Sequence, residues 1–350
     1  MIKNISKSEW LKNQLLEEIR TGVYRPGDVL PSVRHLARRF DVSKHTVSQA
    51  LSNLHELKIL EITQGKATRL RNSPFRKHIE IVYFGSGTVD SQSFWADVYQ
   101  GISAEAENYD DYDFSQTTFR NLNSYFFPGN FDSSRTVGML VLGMSHAVAY
   151  RDFLRFGIPM LSIHDYSESS GVPHVRPGIG PVFREAAELF RRSGRRRVAV
   201  FSFWEHQFEG IDHFKLECAR DTFLRAGIMP DASYALAHED KDSGGYVLLH
   251  RLVRAGKTPD GLFLASDAMA LGAYRAAYEL NLRIPEDLAI LGCDNLNGSG
   301  YMVPSLSSIE LHRGELGRTG FRTLVEYCEG KGALNSVDVP AELVLRESFP

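Results

Sequence analysis

The sequence predicts an α/β protein: two doubly wound parallel-sheet lobes behind a small, mainly helical N-terminal head. Three observations carry that prediction. From residue 78 onward, apolar runs of strand length alternate with longer amphipathic stretches, the texture of repeated strand–helix–strand units. Ahead of residue 78, two sets of apolar residues recur at helical spacing on either side of a short polar break. Finally, charge changes sign along the chain. Residues 1–77 hold 15 Lys/Arg against 7 Asp/Glu, and the remainder 25 against 36. A basic head on an acidic body implies that only the head approaches a polyanion.

Composition sets outer bounds. A chain of 350 residues, 43% hydrophobic, can build two or three domains. No signal-like apolar segment or uninterrupted membrane-length span occurs, so a cytoplasmic location is expected. Cys218, Cys293 and Cys328 are far apart and form no metal-ligand spacing; they read as reduced core thiols. No metal or cofactor is expected.

Taking the elements in order, residues 8–22 form a first amphipathic helix that stops at Gly22, with Pro26 beyond. Val33, Leu36, Ala37 and Phe40 mark a second helix, and Val47, Ala50, Leu51 and Leu54 a third. The polar break at residues 41–43 supplies a turn and an N-cap, Ser43. Two helices so joined are a helix-turn-helix, which sets the second at the angle needed to enter a major groove of double-stranded DNA. Residue types divide the work. Arg34, Arg38 and Arg39 suit phosphate oxygens, whereas Ser43, Lys44, His45 and Thr46 open the helix that meets base edges. Residues 61–70 then alternate around Gln64-Gly65-Lys66, a two-strand wing with Gly65 in the turn and Lys66 beside a phosphate or in the minor groove.

An ordered string runs through this head: Leu16-x-x-Ile19-x-x-Gly22, then Pro26-Gly27-Asp28-x-Leu30-Pro31-Ser32-x-Arg34-x-Leu36-Ala37. It continues as Val42-Ser43-x-x-Thr46-Val47-x-x-Ala50-Leu51-x-x-Leu54 and Gln64-Gly65-Lys66. It resembles the winged-helix DNA-binding domain of the GntR family of bacterial transcription regulators. Lys58 and Ala67 stand where that family usually has glycines. The expected organisation is a DNA-binding domain over residues 1–72, a polar, Pro74-broken linker over 73–77 and a second domain over 78–350.

Beyond residue 78, strands are expected at 79–84, 114–119, 137–142, 159–163, 197–201, 233–237, 261–264 and 288–291. Helices are expected at 95–108, 146–155, 180–192, 212–226, 244–255 and 267–280. So many units favour two lobes over one very wide sheet. Ligands of such sheets sit beyond the C-terminal strand ends, here in the cleft between lobes.

The late motifs carry a second resemblance. Leu264-Ala265-Ser266-Asp267-x-x-Ala270-x-Gly272 is followed by Ile284-Pro285-Glu286-Asp287-Leu288-Ala289-Ile290-Leu291-Gly292-Cys293-Asp294-Asn295. Next come Pro304-x-Leu306-Ser307-Ser308-Ile309 and Pro340-Ala341-Glu342-Leu343. This pattern is similar to the effector domain of LacI-type repressors, itself similar to periplasmic sugar-binding proteins. The resemblance implies a cleft for a small effector, often a sugar or a purine, a homodimer, and three chain crossings between lobes.

Asp267 and Asp294 directly follow apolar strands, where carboxylates can accept from paired sugar hydroxyls. Asp267 could equally cap the helix it begins, and Asp294 could stabilise a turn. Phe94 and Trp95 follow the first strand of the body, and aromatic rings suit the apolar face of a sugar or base; Trp204 is a comparable candidate. Lys215 stands where the family's effector-binding arginine is usual, with a point charge in place of a planar fork. Arg176 would favour an acidic ligand such as a uronate if it reached the cleft. The basic run at residues 191–197 lies at a helix C-terminus, where cations complement the helix dipole, and reads as a solvated connection. Residues 84–88 are glycine-rich after a strand but lack a dinucleotide or P-loop fingerprint, so they read as a cleft-lining loop.

Together these features point to a transcriptional repressor controlled by a sugar-like effector and not to an enzyme. The competing reading is a DNA-binding head fused to a catalytic domain that uses pyridoxal phosphate or another coenzyme. It would need a longer chain and a cofactor lysine in a recognisable setting.

Overall fold

The computed structural model describes residues 6–20, 23–24, 27–63, 67–71, 76–84, 94–119, 135–143, 153–164, 171–203 and 211–349. The chain divides into two compact units, Met1–His78 with Tyr109–Asp113, and Ile79–Asn108 with Phe114–Pro350.

The first unit holds helices α1 (Lys7–Arg20), α2 (Val33–Arg39) and α3 (Lys44–Glu56) and the antiparallel pair β1 (Leu60–Glu61) and β2 (Arg69–Leu70). Its core joins Leu11, Leu15 and Ile19 of α1, Leu36 of α2, and Val47, Ala50, Leu51 and Leu54 of α3. Those are the positions that helical spacing selects. Both helices of the helix-turn-helix are capped by serine: Ser32 Oγ accepts from His35 N (3.3 Å) and Ser43 Oγ from Thr46 N (3.0 Å). Lys58, just past α3, adopts φ +60°, the left-handed conformation usually given to glycine.

The second unit begins with β3 (Lys77–Phe84), α4 (Phe94–Ala106), β4 (Tyr112–Phe119), β5 (Thr136–Leu142), β6 (Met160–Ile163) and β7 (His174–Gly178). There follow α5 (Ile179–Arg192), β8 (Val198–Phe203), α6 (Ile211–Arg225), β9 (Ala235–His238), α7 (Lys241–Arg254), β10 (Gly261–Leu264), α8 (Ala270–Glu279) and β11 (Ala289–Leu291). The chain closes with β12 (Ser308–Glu310), α9 (Arg313–Cys328), β13 (Val337–Pro340) and β14 (Glu342–Val344). The expected helix at 146–155 lies largely outside the described residues.

Two sheets define two lobes. Lobe 1 is six-stranded, in the order β13-β7-β6-β5-β3-β4; lobe 2 is four-stranded, in the order β11-β10-β8-β9, with every neighbouring pair parallel. The inner strands β3 and β8 carry long apolar runs because both of their faces are covered, as the fully buried Ile79, Ile81 and Val82 and residues 198–201 show. The chain crosses between lobes three times. β7 belongs to the first sheet, yet Ile179 and Phe183 of α5 lie in the second lobe's core. Ile309 of β12 packs in lobe 2, and α9 then returns to lobe 1, where Gly320 lies against Ile163 and Leu140. Finally β13 pairs with β7, and β14 pairs antiparallel with β12.

Glycine lets α9 and α4 cross closely. A Cβ on Gly317 would sit 2.0 Å from Val98 O, and one on Gly101 2.0 Å from Gly314 O. The same glycines depress helix propensity across 314–320, which is why residue spacing gave no sign of α9. Strands β7 and β12–β14, at three to five residues of mixed polarity, were equally silent.

Candidate functional site

In the head, α2 presents Arg34 and Arg38 to solvent, and the start of α3 exposes Ser43, Lys44 and His45. Thr46 is half-buried, its hydroxyl 2.8 Å from Ser43 Oγ, so this pair shapes the turn as well as lining it. Arg39 departs from the phosphate role expected of it. Its Nη1 lies 3.2 Å from Glu18 Oε2 and 3.2 Å from the Tyr24 hydroxyl, tying α2 to α1. Gly65 and Lys66 lie outside the described residues.

In the body, the loops after β10 and β11 meet α6. Lys215, only 2% exposed, donates from Nζ to Asp294 Oδ1 (2.7 Å) and to Ala265 O (3.2 Å). The second Asp294 oxygen accepts from Ser266 Oγ (2.7 Å). Asp294 and Asn295 both take positive φ, +104° and +46°, and Asp294 closes this buried group.

Asp267 is turned inward. Its carboxylate accepts from Leu296 N (3.0 Å), Ser299 Oγ (2.5 Å) and Ser308 Oγ (2.8 and 2.9 Å), and its backbone N–H donates to Cys293 O (2.8 Å). It therefore fastens the Asp294 loop to β12, a positioning role in place of the ligand or cap roles expected from sequence. Burial, then the neighbouring Asp294 charge, raises the Asp267 carboxyl to about 7. Gly292 makes room for it, since a Cβ there would lie 2.0 Å from Asp267 Oδ1.

Lobe 1 contributes aromatic groups. Phe94 and Trp95 open α4, with ring centres 5.1 Å apart. The His164 imidazole, at the C-terminal end of β6, lies 4.5 Å from the Phe94 ring and 6.0 Å from Trp95. Burial, then the positive charge of Lys215, holds His164 well below the usual imidazole range, so a neutral ring of lobe 1 faces an ammonium of lobe 2. Arg313, the first residue of α9 and 6% exposed, completes the group. Its Nη2 reaches Asp97 Oδ2 (2.7 Å) and Asn295 O (3.3 Å), and its Cζ lies 5.9 Å from the Phe94 ring centre.

Arg176 is engaged elsewhere: its Nε pairs with Asp338 Oδ1 (3.0 Å) across the β7–β13 register. Trp204 and the glycine-rich loop after β3 lie outside the described residues. The basic run is tied into lobe 2. Arg191 and Arg192 pair with Glu188, Arg195 donates to Pro285 O and Glu286 O, and the Arg196 and Arg197 backbones donate to Asp260 Oδ1. Residue spacing passed over His164, Ser266 and Arg313. His164 directly follows an expected strand, the same position that singled out Asp267 and Asp294. Nothing local marks Arg313.

A helix-turn-helix with an exposed basic reading face, joined to a two-lobe body with a polar and aromatic group at the lobe junction, defines a ligand-responsive DNA-binding regulator. More particularly, its head is similar to gntR-type bacterial regulators and its body to periplasmic-binding-protein-like receptors. Residues 7–70 match the bacterial regulatory proteins of the gntR family, and residues 187–349 the periplasmic binding protein-like domain. Over 301 residues the chain is 25% identical to the probable HTH-type transcriptional repressor ExuR of Bacillus subtilis, spanning 80% of this chain and 86% of that one. A 133-residue alignment with the repressor MelR of the same organism is 29% identical and spans 38% of this chain and 39% of MelR. Among solved structures, the transcriptional regulator CelR in complex with cellobiose superposes with a TM-score of 0.65 at 19% identity, covering 91% of this chain and 100% of that one. At that identity the likeness shows a shared fold.

Proposed function

We propose that this chain is a transcriptional repressor whose affinity for an operator is set by a sugar or sugar derivative held between the two lobes. The observation that carries this reading is the junction itself. Lys215, Asp294 and Ser266 of lobe 2 supply buried donors and acceptors opposite the Phe94, Trp95 and His164 rings of lobe 1, the pairing that a hydroxylated ring with apolar faces requires. Trp204 would add a further ring. The reading gives these groups a binding role and no chemistry of their own. It agrees with the repressor and cellobiose-complex relatives.

In the head, Arg34 and Arg38 would hold phosphates, Ser43, Lys44, His45 and Thr46 would meet base edges, and Gly65 and Lys66 would form the wing tip. The boundaries are those of the sequence: reader 1–72, linker 73–77, receptor 78–350. The working form is a cytoplasmic homodimer on a two-fold operator. Its contact would use the apolar side chains that lobe 2 leaves exposed, Leu271 and Tyr278 on α8 with Tyr301 and Val303 beyond β11. The hydrogen bond from the Tyr274 hydroxyl to Pro304 O (2.9 Å) brings those two segments together.

Effector binding can change DNA affinity only as far as it favours one lobe arrangement, typically about 5- to 150-fold. The test is fluorescence anisotropy of the full chain on labelled duplexes selected from random sequence, repeated with a panel of sugars, sugar acids, purines and coenzymes. A selected duplex whose affinity shifts with a sugar-class compound is expected. Indifference to duplex DNA at low salt, or stabilisation only by pyridoxal phosphate or another coenzyme, would refute the reading.

A further inference from the structure

We propose that the effector carries an oxyanion and that Arg313 receives it; the inference rests on the receptor reading above and narrows its ligand class. Arg313 is a guanidinium 6% exposed, and only its Nη2 is spoken for, by Asp97 and Asn295 O. Among the described residues, Nε and Nη1 have no hydrogen-bond partner. Buried N–H groups of a charged side chain left without acceptors are costly, and protein interiors retain few of them. An incoming acceptor relieves that cost, and a charged oxyanion relieves it most.

Two observations favour one side of the guanidinium for the incoming acceptor. On one side, Arg313 borders an open groove of about 470 Å³ lined also by Asp97, Glu310, Glu315 and Arg318. There three carboxylates face Arg318 and Arg313, a net negative lining that disfavours an anion. On the other side, the guanidinium lies over Phe94, whose ring stacks toward His164 and so toward Lys215. That is the junction between the lobes. Lys215 and Arg313 each pair with one carboxylate at 2.7 Å, Asp294 and Asp97, but Arg313 does so through Nη2 alone and keeps Nε and Nη1 without acceptors among the described residues. The role assigned from sequence to Arg176, which Asp338 occupies, thus passes to a residue 137 positions later in the chain. Because Arg313 also touches Asn295 O beside Asp294, an oxyanion bound there would act on both lobes at once.

The carboxylate of a sugar acid and the phosphate of a sugar phosphate share this chemistry, and titration calorimetry of the full chain separates them. Three sets of probes are used: hexoses, the matching hexuronates and the matching hexose 6-phosphates. At least one anionic set is expected to bind about 10- to 100-fold more tightly than its neutral counterpart. Uronate preference names the carboxylate and phosphate preference the phosphoryl group. In Arg313→Met the ratio of anionic to neutral affinity should fall to about one, whatever the absolute affinities; Arg313→Lys, which keeps the charge, should retain part of it, and a ratio unchanged in Arg313→Met would overturn the assignment. Equal or tighter binding of the neutral hexose by the unaltered protein would overturn the inference and leave the receptor reading standing. Duplex affinity unmoved by every probe would overturn both. The comparison within the unaltered protein holds even if Arg313→Met fails to fold.

Discussion

Replacing Lys215 with methionine tests whether the lobe-2 group is an interdependent ion pair. Lys215 and Asp294 have side chains 2% and 6% exposed, and the contact is 2.7 Å. Removing one member of such a pair strands a buried charge, at a typical cost of about 3–5 kcal/mol. Asp294 would retain the Ser266 hydroxyl at 2.7 Å, so the lower end, about 3 kcal/mol, applies. For a unit of this size that corresponds to a fall in Tm of roughly 6–12 °C. Urea and thermal unfolding of the parent, Lys215→Met, Asp294→Asn and the double variant give the full cycle. The double variant should be less destabilised than the sum of the singles by at least about 1 kcal/mol, because the second change removes the charge that the first one strands. Strictly additive costs, or a loss below about 1 kcal/mol for Lys215→Met, would refute the pairing as the organising interaction of the group.

Arg34→Ala should weaken operator binding and lower the slope of log K against log salt by about 1, read from anisotropy titrations between 50 and 200 mM salt; an unchanged slope removes Arg34 from the phosphate contacts. Gly317→Ala should lower the Tm of the body by an overpacking cost of about 1–3 kcal/mol, since the clash is with backbone that no rotamer relieves, whereas Gly314→Ala, with no atom nearer than 3.5 Å, should be neutral or stabilising. His164 is held below its unfolded value of about 6.5, so its contribution is fully present above that pH and is lost as pH falls through it. Asp267, raised to about 7, acts in the opposite sense, losing stability as pH rises from about 4 toward 7. The His164 share is therefore the difference between parent and His164→Gln, which should shrink on going from pH 7 to pH 5; a constant difference would mean that burial and Lys215 do not hold the imidazole below its unfolded range.

The head was legible because its information is local. Helical spacing and the Ser43 cap need only neighbours within four residues, and the core that spacing selects is the core that forms. The strand–helix alternation was legible for the same reason. Arg39 shows where that ends: it has the residue type for phosphate, and Glu18, 21 positions away, determines its use. Asp267 shows it again. Adjacency to a strand end placed it correctly, but the three donors that turn it inward arrive from residues 29 to 41 positions later.

By itself, then, the sequence determined a basic helix-turn-helix reader, a doubly wound body and the strand ends where a ligand would sit, all properties of periodicity and charge. Only the tertiary structure decided which side chains share that place. Lys215 meets Asp294 across 79 residues of chain, His164 feels the Lys215 charge from the other lobe, and Arg313 comes from a helix whose glycines hide it from any propensity argument. The physical reason is that burial and pairing of charge are decided by partners distant in sequence, and a lone arginine or aspartate looks the same in the chain whether it is satisfied, stranded or waiting for a ligand.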